Sequence, residues 1–482
     1  MKYVSNIKQN YLFSIVYQIL ILILPLITTP YISRVFGSSG VGAYTLVNSI
    51  AVYFTQFAGL GVSNYGNRSV ATCRDNEKVL KQTFSEIYAT QVVTSLVVTG
   101  LYILYASSIA QGNQLLVWLH VLYVLSTVFD VSWLFFGLEK FKITVTGNII
   151  IKIFSVILIF LFVKNAEDIW IYTLIMVMSI LVNAMLLWII AWKYVDFHVV
   201  PWGKIVCHLK PMIVLFIPVI AASVYKTMDK VMLGVITKRD SWVGLYNNSE
   251  QLIGFPQGII TALGVVMLPR VANMLAKGNI KRAKQELRLS MKFINFLACA
   301  VSFGMASISI ELAPIFLGEA FRDCGNYVIL LSPCNIFISW AYGIRNQYLI
   351  PSMKDKIYVN SVVAGAVLNF LINLFLIKYL GVTGVIIGTL IAEFLVAVWQ
   401  TVAVRKELEV KRYLIEGLPF IFFGMIMFIV VRSIGNLMGE HIITIFAEIV
   451  CGGLVYLVCS FIYILKSDLE LLKMIFKKVK HN

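Results

Sequence analysis

The sequence predicts an all-α polytopic membrane protein of about 14 transmembrane helices, two pseudo-symmetric six-helix bundles followed by two C-terminal helices. Three observations lead there. Hydrophobic residues make up 59% of the 482 and only 13% are charged, with mean hydropathy +0.85, whereas soluble domains carry about 25% charged residues. The apolar residues come in continuous runs of about 20, long enough to cross a bilayer as helix, and not in the alternating ten-residue strands of a barrel. Lys and Arg also gather on every second connection.

The first run, 11–32, follows Lys2 and Lys8. It is longer than a signal-peptide core and no small-x-small cleavage site follows, so it reads as a retained first span. Runs near 11–33, 40–63, 83–106, 114–137, 143–163 and 169–193 form one group of six. A second six lie near 211–236, 243–268, 291–318, 326–350, 357–377 and 381–403, and a last pair near 416–437 and 441–465. With the N-terminus cytoplasmic, the cytoplasmic segments hold 30 of the 40 Lys and Arg. That bias, kept at every turn, places both termini in the cytoplasm. It also accounts for the net charge of +16, so no nucleic-acid partner is expected.

The halves resemble one another. Gly42-x-Tyr44, "LGV" at 60–62 and Arg68 match Gly244-x-Tyr246, "LGV" at 263–265 and Arg270. Duplicated six-helix halves are common in secondary transporters, which bind substrate between them. The expected division is a bundle at 1–195, a basic cytoplasmic linker at 196–210, a second bundle at 211–403, and two helices with a basic tail at 404–482.

Several chemistries are unsupported. The seven Cys are scattered without CxxC spacing and the five His form no HxxxH or HExxH, so neither a disulfide framework nor a metal site is expected. Gly203-Lys204 is followed by Ile, so no Walker loop exists. "GSSGVG" (37–42) falls between two spans with no strand before it and reads as a tight helix connection. No cofactor and no catalytic constellation are expected.

Ionisable residues inside spans stand out, because each costs about 2.5–3.5 kcal/mol at the bilayer centre on insertion scales. They are Asp130, Lys152, Lys226, Asp229, Lys230, Glu393 and Glu448. Lys226 and Lys230 are one turn apart with one local acid, Asp229. They either snorkel to the outer interface or present surplus cationic charge to a cavity. Asp130, Asp229 and Glu393 are candidates for ion coupling or for structural pairing. Lys152 is close enough to a span end to snorkel. Asn369 and Asn373, one turn apart, serve either as interhelical hydrogen bonding or as ligands. "YNNSEQLIGFPQG" (246–258) makes span eight polar at its start and breaks or bends it at Pro256–Gly258.

These segments resemble a family. "MDKVMLG" with "VGLY", "DVSWLFFGLEKFK" (130–142) and "NFLINLFLIKYLGVTGVIIGTLIAE" (369–393) are similar to the polysaccharide transporters, the Wzx-type flippases of the MATE-like superfamily. Leu134 stands where that family commonly has Phe. The resemblance implies a MATE-like fold in the bacterial cytoplasmic membrane. It also implies translocation of undecaprenyl-pyrophosphate-linked oligosaccharide, for capsule, O-antigen or exopolysaccharide, with other polysaccharide assembly proteins as partners. It implies a cationic cavity, for which Lys226, Lys230, Arg34, Arg68 and Arg270 are this chain's candidates. A lipid II flippase and a multidrug/cation antiporter of the same superfamily are the alternatives. A polymerase or glycosyltransferase fits less well, because the outer loops are short. The chain is therefore expected to be a transporter and not an enzyme.

Overall fold

The computed structural model describes residues 7–108, 113–277 and 279–467. Inside these, no side chain is described at 7–22, 218, 221, 222, 224–226, 259, 261–272, 275, 276, 280 or 281. All regular structure among the described residues is helical: α1 Ile7–Gly59, α2 Val62–Cys73, α3 Glu77–Ser108, α4 Gln114–Phe129, α5 Ser132–Gly137, α6 Phe141–Phe162, α7 Ile169–Ala191, α8 Trp202–Thr237, α9 Asp240–Ala276, α10 Ile280–Leu317, α11 Cys324–Ile344, α12 Asp355–Leu380, α13 Val382–Val404, α14 Val410–Met438 and α15 Ile442–Ser467.

Eleven stretches among the described residues are long and apolar enough to span a membrane. One of them, Ile23–Cys73, has 51 residues. That is roughly 75 Å of helix, enough to cross a ~30 Å hydrocarbon core twice. With α8 (36 residues) and α9 (37 residues), every one of the fourteen expected spans falls on helix. The first two spans meet at Gly37, whose φ of 61° and ψ of −177° bend α1 where "GSSGVG" predicts a connection. A side chain there would suffer the steric penalty that glycine escapes. Across Pro256–Gly258, by contrast, α9 is continuous helix, so the break expected in span eight does not occur.

The chain divides into two compact units, 1–234 with 239–244, and 235–238 with 245–482. The first unit thus reaches to the end of α8, whereas the charge pattern alone suggests a linker at 196–210. Close backbone approach explains why α8 joins it. A methyl built on Gly61 would lie 2.8 Å from the Met212 carbonyl, and one on Gly234 would meet the Leu46 side chain at 2.6 Å. Two apolar clusters hold this unit. One, around Trp133, Leu134 and Phe135, joins α2, α3, α5 and α7, and the other joins α1, α3 and α4 around Tyr102.

The second unit is built on α10, which packs against α11, α14 and α15, while α12 and α13 pair and α13 meets α11. Its larger cluster centres on Met291, Ile294 and Ile344. A second, with Phe420, Met427 and Tyr456, docks α14 and α15 onto α10. Asn369 and Asn373 lie at the α12–α13 crossing. Within α12, Asn373 Nδ2 donates to the Asn369 side-chain Oδ1 at 3.2 Å. A methyl on Gly388 would sit 2.4 Å from Asn373 Oδ1, the close packing expected of amides that hold helices together.

Candidate functional site

Within the first unit, the end of α1, the break between α4 and α5, and α6 and α7 enclose a cavity of about 410 Å³. Its lining is mixed: Gln56, Asn64, Gln91, Asn148 and Asn183 supply amides, Ser126, Thr127 and Ser132 supply hydroxyls, Asp130 supplies a carboxylate, and side chains such as Phe136, Ile180, Leu187 and Val219 supply apolar wall. No Lys or Arg lines it among the described residues. The turn Leu60–Gly61, with φ of 41° and 75°, separates α1 from α2 and brings Asn64 to the rim.

Asp130 reaches the cavity because α4 stops there. Its backbone turns extended (φ −75°, ψ 98°), and its Oδ1 accepts a hydrogen bond from the Ser132 N–H at 3.0 Å. A carboxylate in that position satisfies one of the orphan donors of α5. The break also frees carbonyls of α4. Buried Gln91 on α3 takes them, its Nε2 donating to Thr127 O at 2.6 Å and Asp130 O at 2.8 Å. The Trp133 indole N–H in turn donates to Gln91 Oε1 at 2.9 Å. Trp133 is fully buried beneath α2, where a methyl on Gly66 would strike the indole at 2.5 Å. Glu139, at the end of the same segment, pairs with Arg74 at 2.6 Å, and this bond holds the guanidinium above its ordinary pKa. So the segment 130–142 is a brace for the cavity wall, with Asp130 as its chemically exposed member.

Arg34 and Arg68 are exposed on α1 and α2. Lys230 is half-buried on α8 beside buried Asp229, which lies within electrostatic reach of Tyr53. The Lys226 and Arg270 side chains lie outside the described residues. None of Arg34, Arg68 and Lys230 lines the cavity; of the expected site residues whose side chains are described, Asp130 alone does. Glu393 is buried on α13 in the second unit. Two features escape the sequence reading. Gln91 is unremarkable in an α3 run that gives no sign of the α4 break it braces. Arg432, inside the run at 416–437 but not among the charges singled out there, lies within α14 and pairs with Glu311 of α10 at 2.6 Å.

Among the described residues the chain is all-helical, in two units, with a cavity of mixed lining in the first. Its fold matches two solved structures. A lipid II flippase MurJ in an inward-closed conformation superimposes with TM-score 0.75 at 15% identity, over 95% of this chain and 99% of that one. An inward-facing multidrug MATE transporter of the MOP superfamily gives TM-score 0.57 at 12% identity, over 81% and 98%. Residues 7–275 match the family profile described as polysaccharide biosynthesis protein, and the chain belongs to that family. A Shigella dysenteriae protein named for O-antigen transport is 23% identical over 387 residues, 79% of this chain and 96% of its own length.

Proposed function

We propose that the chain is a flippase carrying undecaprenyl-pyrophosphate-linked oligosaccharide repeat units across the bacterial cytoplasmic membrane by alternating access, with both termini in the cytoplasm. The carrying observation is the cavity's lining. Its amides and hydroxyls offer both donors and acceptors, the groups that replace water around sugar hydroxyls. Asp130, the one lining acid among the described residues, is engaged by the Ser132 N–H at the start of α5. Lys226, Lys230, Arg34, Arg68 and Arg270 are the groups proposed to meet the diphosphate, and Asp130, Asp229 and Glu393 those proposed for coupling or pairing. An inside-negative potential favours outward movement of the anionic headgroup by about 2.3 kcal/mol per charge per 100 mV.

Transport of lipid II is the second reading, favoured by the MurJ-like fold, and it differs in headgroup rather than mechanism. The test is reconstitution into liposomes with fluorescent undecaprenyl-diphospho-oligosaccharide or fluorescent lipid II, and no catalytic turnover of either is expected. Preferential flipping of the oligosaccharide is the expected result, and loss in Lys226→Ala/Lys230→Ala by roughly tenfold or more follows from removing a charge-assisted contact of about 1.5–3 kcal/mol. Flipping of lipid II alone, or of neither, would overturn the substrate assignment.

A further inference from the structure

The second unit contains an ionisable cluster that the flippase reading does not use. Glu448 on α15 is fully buried, and neither of its carboxylate oxygens has a hydrogen-bond partner. Glu311 on α10 is 3% exposed. Its Oε2 accepts from Arg432 on α14 at 2.6 Å. The guanidinium's other contacts are the Ser307 carbonyl at 3.2 Å and Asn436 Oδ1 at 3.4 Å. Gly435 is what allows the two acids to meet. A methyl built there would lie 2.5 Å from Glu448 Oε1 and 2.6 Å from Glu311 Oε1, so the two oxygens flank the space that glycine leaves open and are no more than about 5 Å apart. Thr444, one turn before Glu448, is also fully buried and its hydroxyl has no partner.

The charges do not balance with both acids ionised. Two carboxylates would share one guanidinium whose bonds go to Glu311, Ser307 and Asn436, leaving Glu448 a buried anion with no donor. Such a group costs several kcal/mol and is relieved by taking a proton. No other Lys, Arg, Asp or Glu occurs in 304–317, 424–438 or 442–455, the parts of α10, α14 and α15 around the cluster; the Cys451 thiol is the remaining titratable group there. The α11 helix, also packed on α10, brings no such charge within its own length.

We propose that Glu448 and Glu311 bind one proton between them, forming a protonation site at the junction of α10, α14 and α15 with Arg432 as its fixed counter-charge. In the protonated state Glu448 is a neutral acid whose O–H faces Glu311 Oε1, and the cluster is neutral as a whole. Release of the proton leaves two carboxylates against one guanidinium and loosens α15 from its neighbours. The route to water is short. Arg432 is partly exposed, Asn436 is exposed, and Glu448 is only about 10 Å along α15 from its first residue.

The test is infrared difference spectroscopy of the full chain in nanodiscs during pH titration, in sodium and in choline buffers. The expected result is a protonated-carboxyl C=O band that shifts in D2O, disappears on alkalinisation, and is lost in Glu448→Gln. In Glu311→Gln the neighbouring negative charge is gone and Arg432 can balance an ionised Glu448, so the band should be lost at lower pH than in the native chain. Should Glu448→Gln fail to fold, Glu448→Asp and carboxyl-labelled glutamate in the native sequence identify the band instead. A band absent at every pH, present at every pH, or unchanged by Glu448→Gln would overturn the proposal. Loss of the band at fixed pH on adding sodium would overturn it in favour of a metal cation. None of these readouts depends on lipid flipping, so they stand apart from the transport assignment.

Discussion

Gly42→Ala is the most demanding perturbation the structure offers. The added methyl would lie 1.6 Å from the Asp240 carbonyl oxygen and 2.5 Å from its carbon. A carbon and a carbonyl oxygen settle at about 3.3–3.6 Å, so α1 and the start of α9 must part by roughly 2 Å. The obstacle is backbone and cannot rotate away. Overpacking of this kind costs about 1–3 kcal/mol, occasionally more, and the upper end is expected. Gly244→Ala meets the same crossing from the other helix, at 2.1 Å from the Ser38 carbonyl. Because either methyl separates the helices, the double variant should cost less than the two single losses added together. Gly100→Ala and Gly254→Ala are the controls, with nothing within 4 Å of the new methyl. Thermal unfolding of the detergent-purified protein, followed by size-exclusion recovery, should show both crossing variants melting below wild type and both controls at or above it. Melting of Gly42→Ala within the range of the controls would refute the close crossing.

Gln91→Leu strands the Trp133 indole N–H and two carbonyls of the α4 break, at about 1–3 kcal/mol for each buried group left unsatisfied, so the same melting assay should show a loss of that order. Asp130→Asn keeps an oxygen to cap the Ser132 N–H while removing the charge; thermal stability near wild type with altered flipping in liposomes is expected, and a large stability loss would make the charge structural. The Glu407 carboxyl is held below its ordinary value by Lys354, then by Tyr348, whose hydroxyl donates to it at 2.5 Å. A depressed carboxylate contributes stability above its unfolded pKa, near 4.3 for Glu, and loses it as pH falls through the lower folded value. Hydrogen-exchange protection around residues 404–410, taken relative to the intrinsic rate at each pH, should therefore fall below about pH 4.5 in wild type, and Glu407→Gln should flatten that dependence.

Spans, loop charge and the paired Gly42 and Gly244 are legible in the sequence because a bilayer tests each helix singly. Twenty apolar residues must satisfy their own backbone bonds as helix, whatever lies beside them. The matched Gly-x-Tyr segments show only as a repeat; that the two glycines meet at one crossing is a fact of three dimensions. The site is less legible for the same reason. Asp130 stands out as an acid in an apolar run, but its place on a cavity wall depends on the α4 break, on Gln91 from α3, and on the Gly66 notch over Trp133. Lys230 and Asp229 are visible as intramembrane charges, yet nothing in their spacing tells a cavity from a structural pair.

What the sequence by itself determined is the class, the helical spans and the list of costly charges, since these follow from local transfer free energies. What only the tertiary structure decided is which charges meet, including Glu311 and Arg432, which that list lacks. Glu311, Arg432 and Glu448 are separated by 121 and 16 residues, and no periodicity within one helix connects them. Their meeting rests on Gly435, whose missing side chain leaves open the space that two carboxylates flank. Desolvation is a property of the packed neighbourhood and not of a residue's own position in the chain.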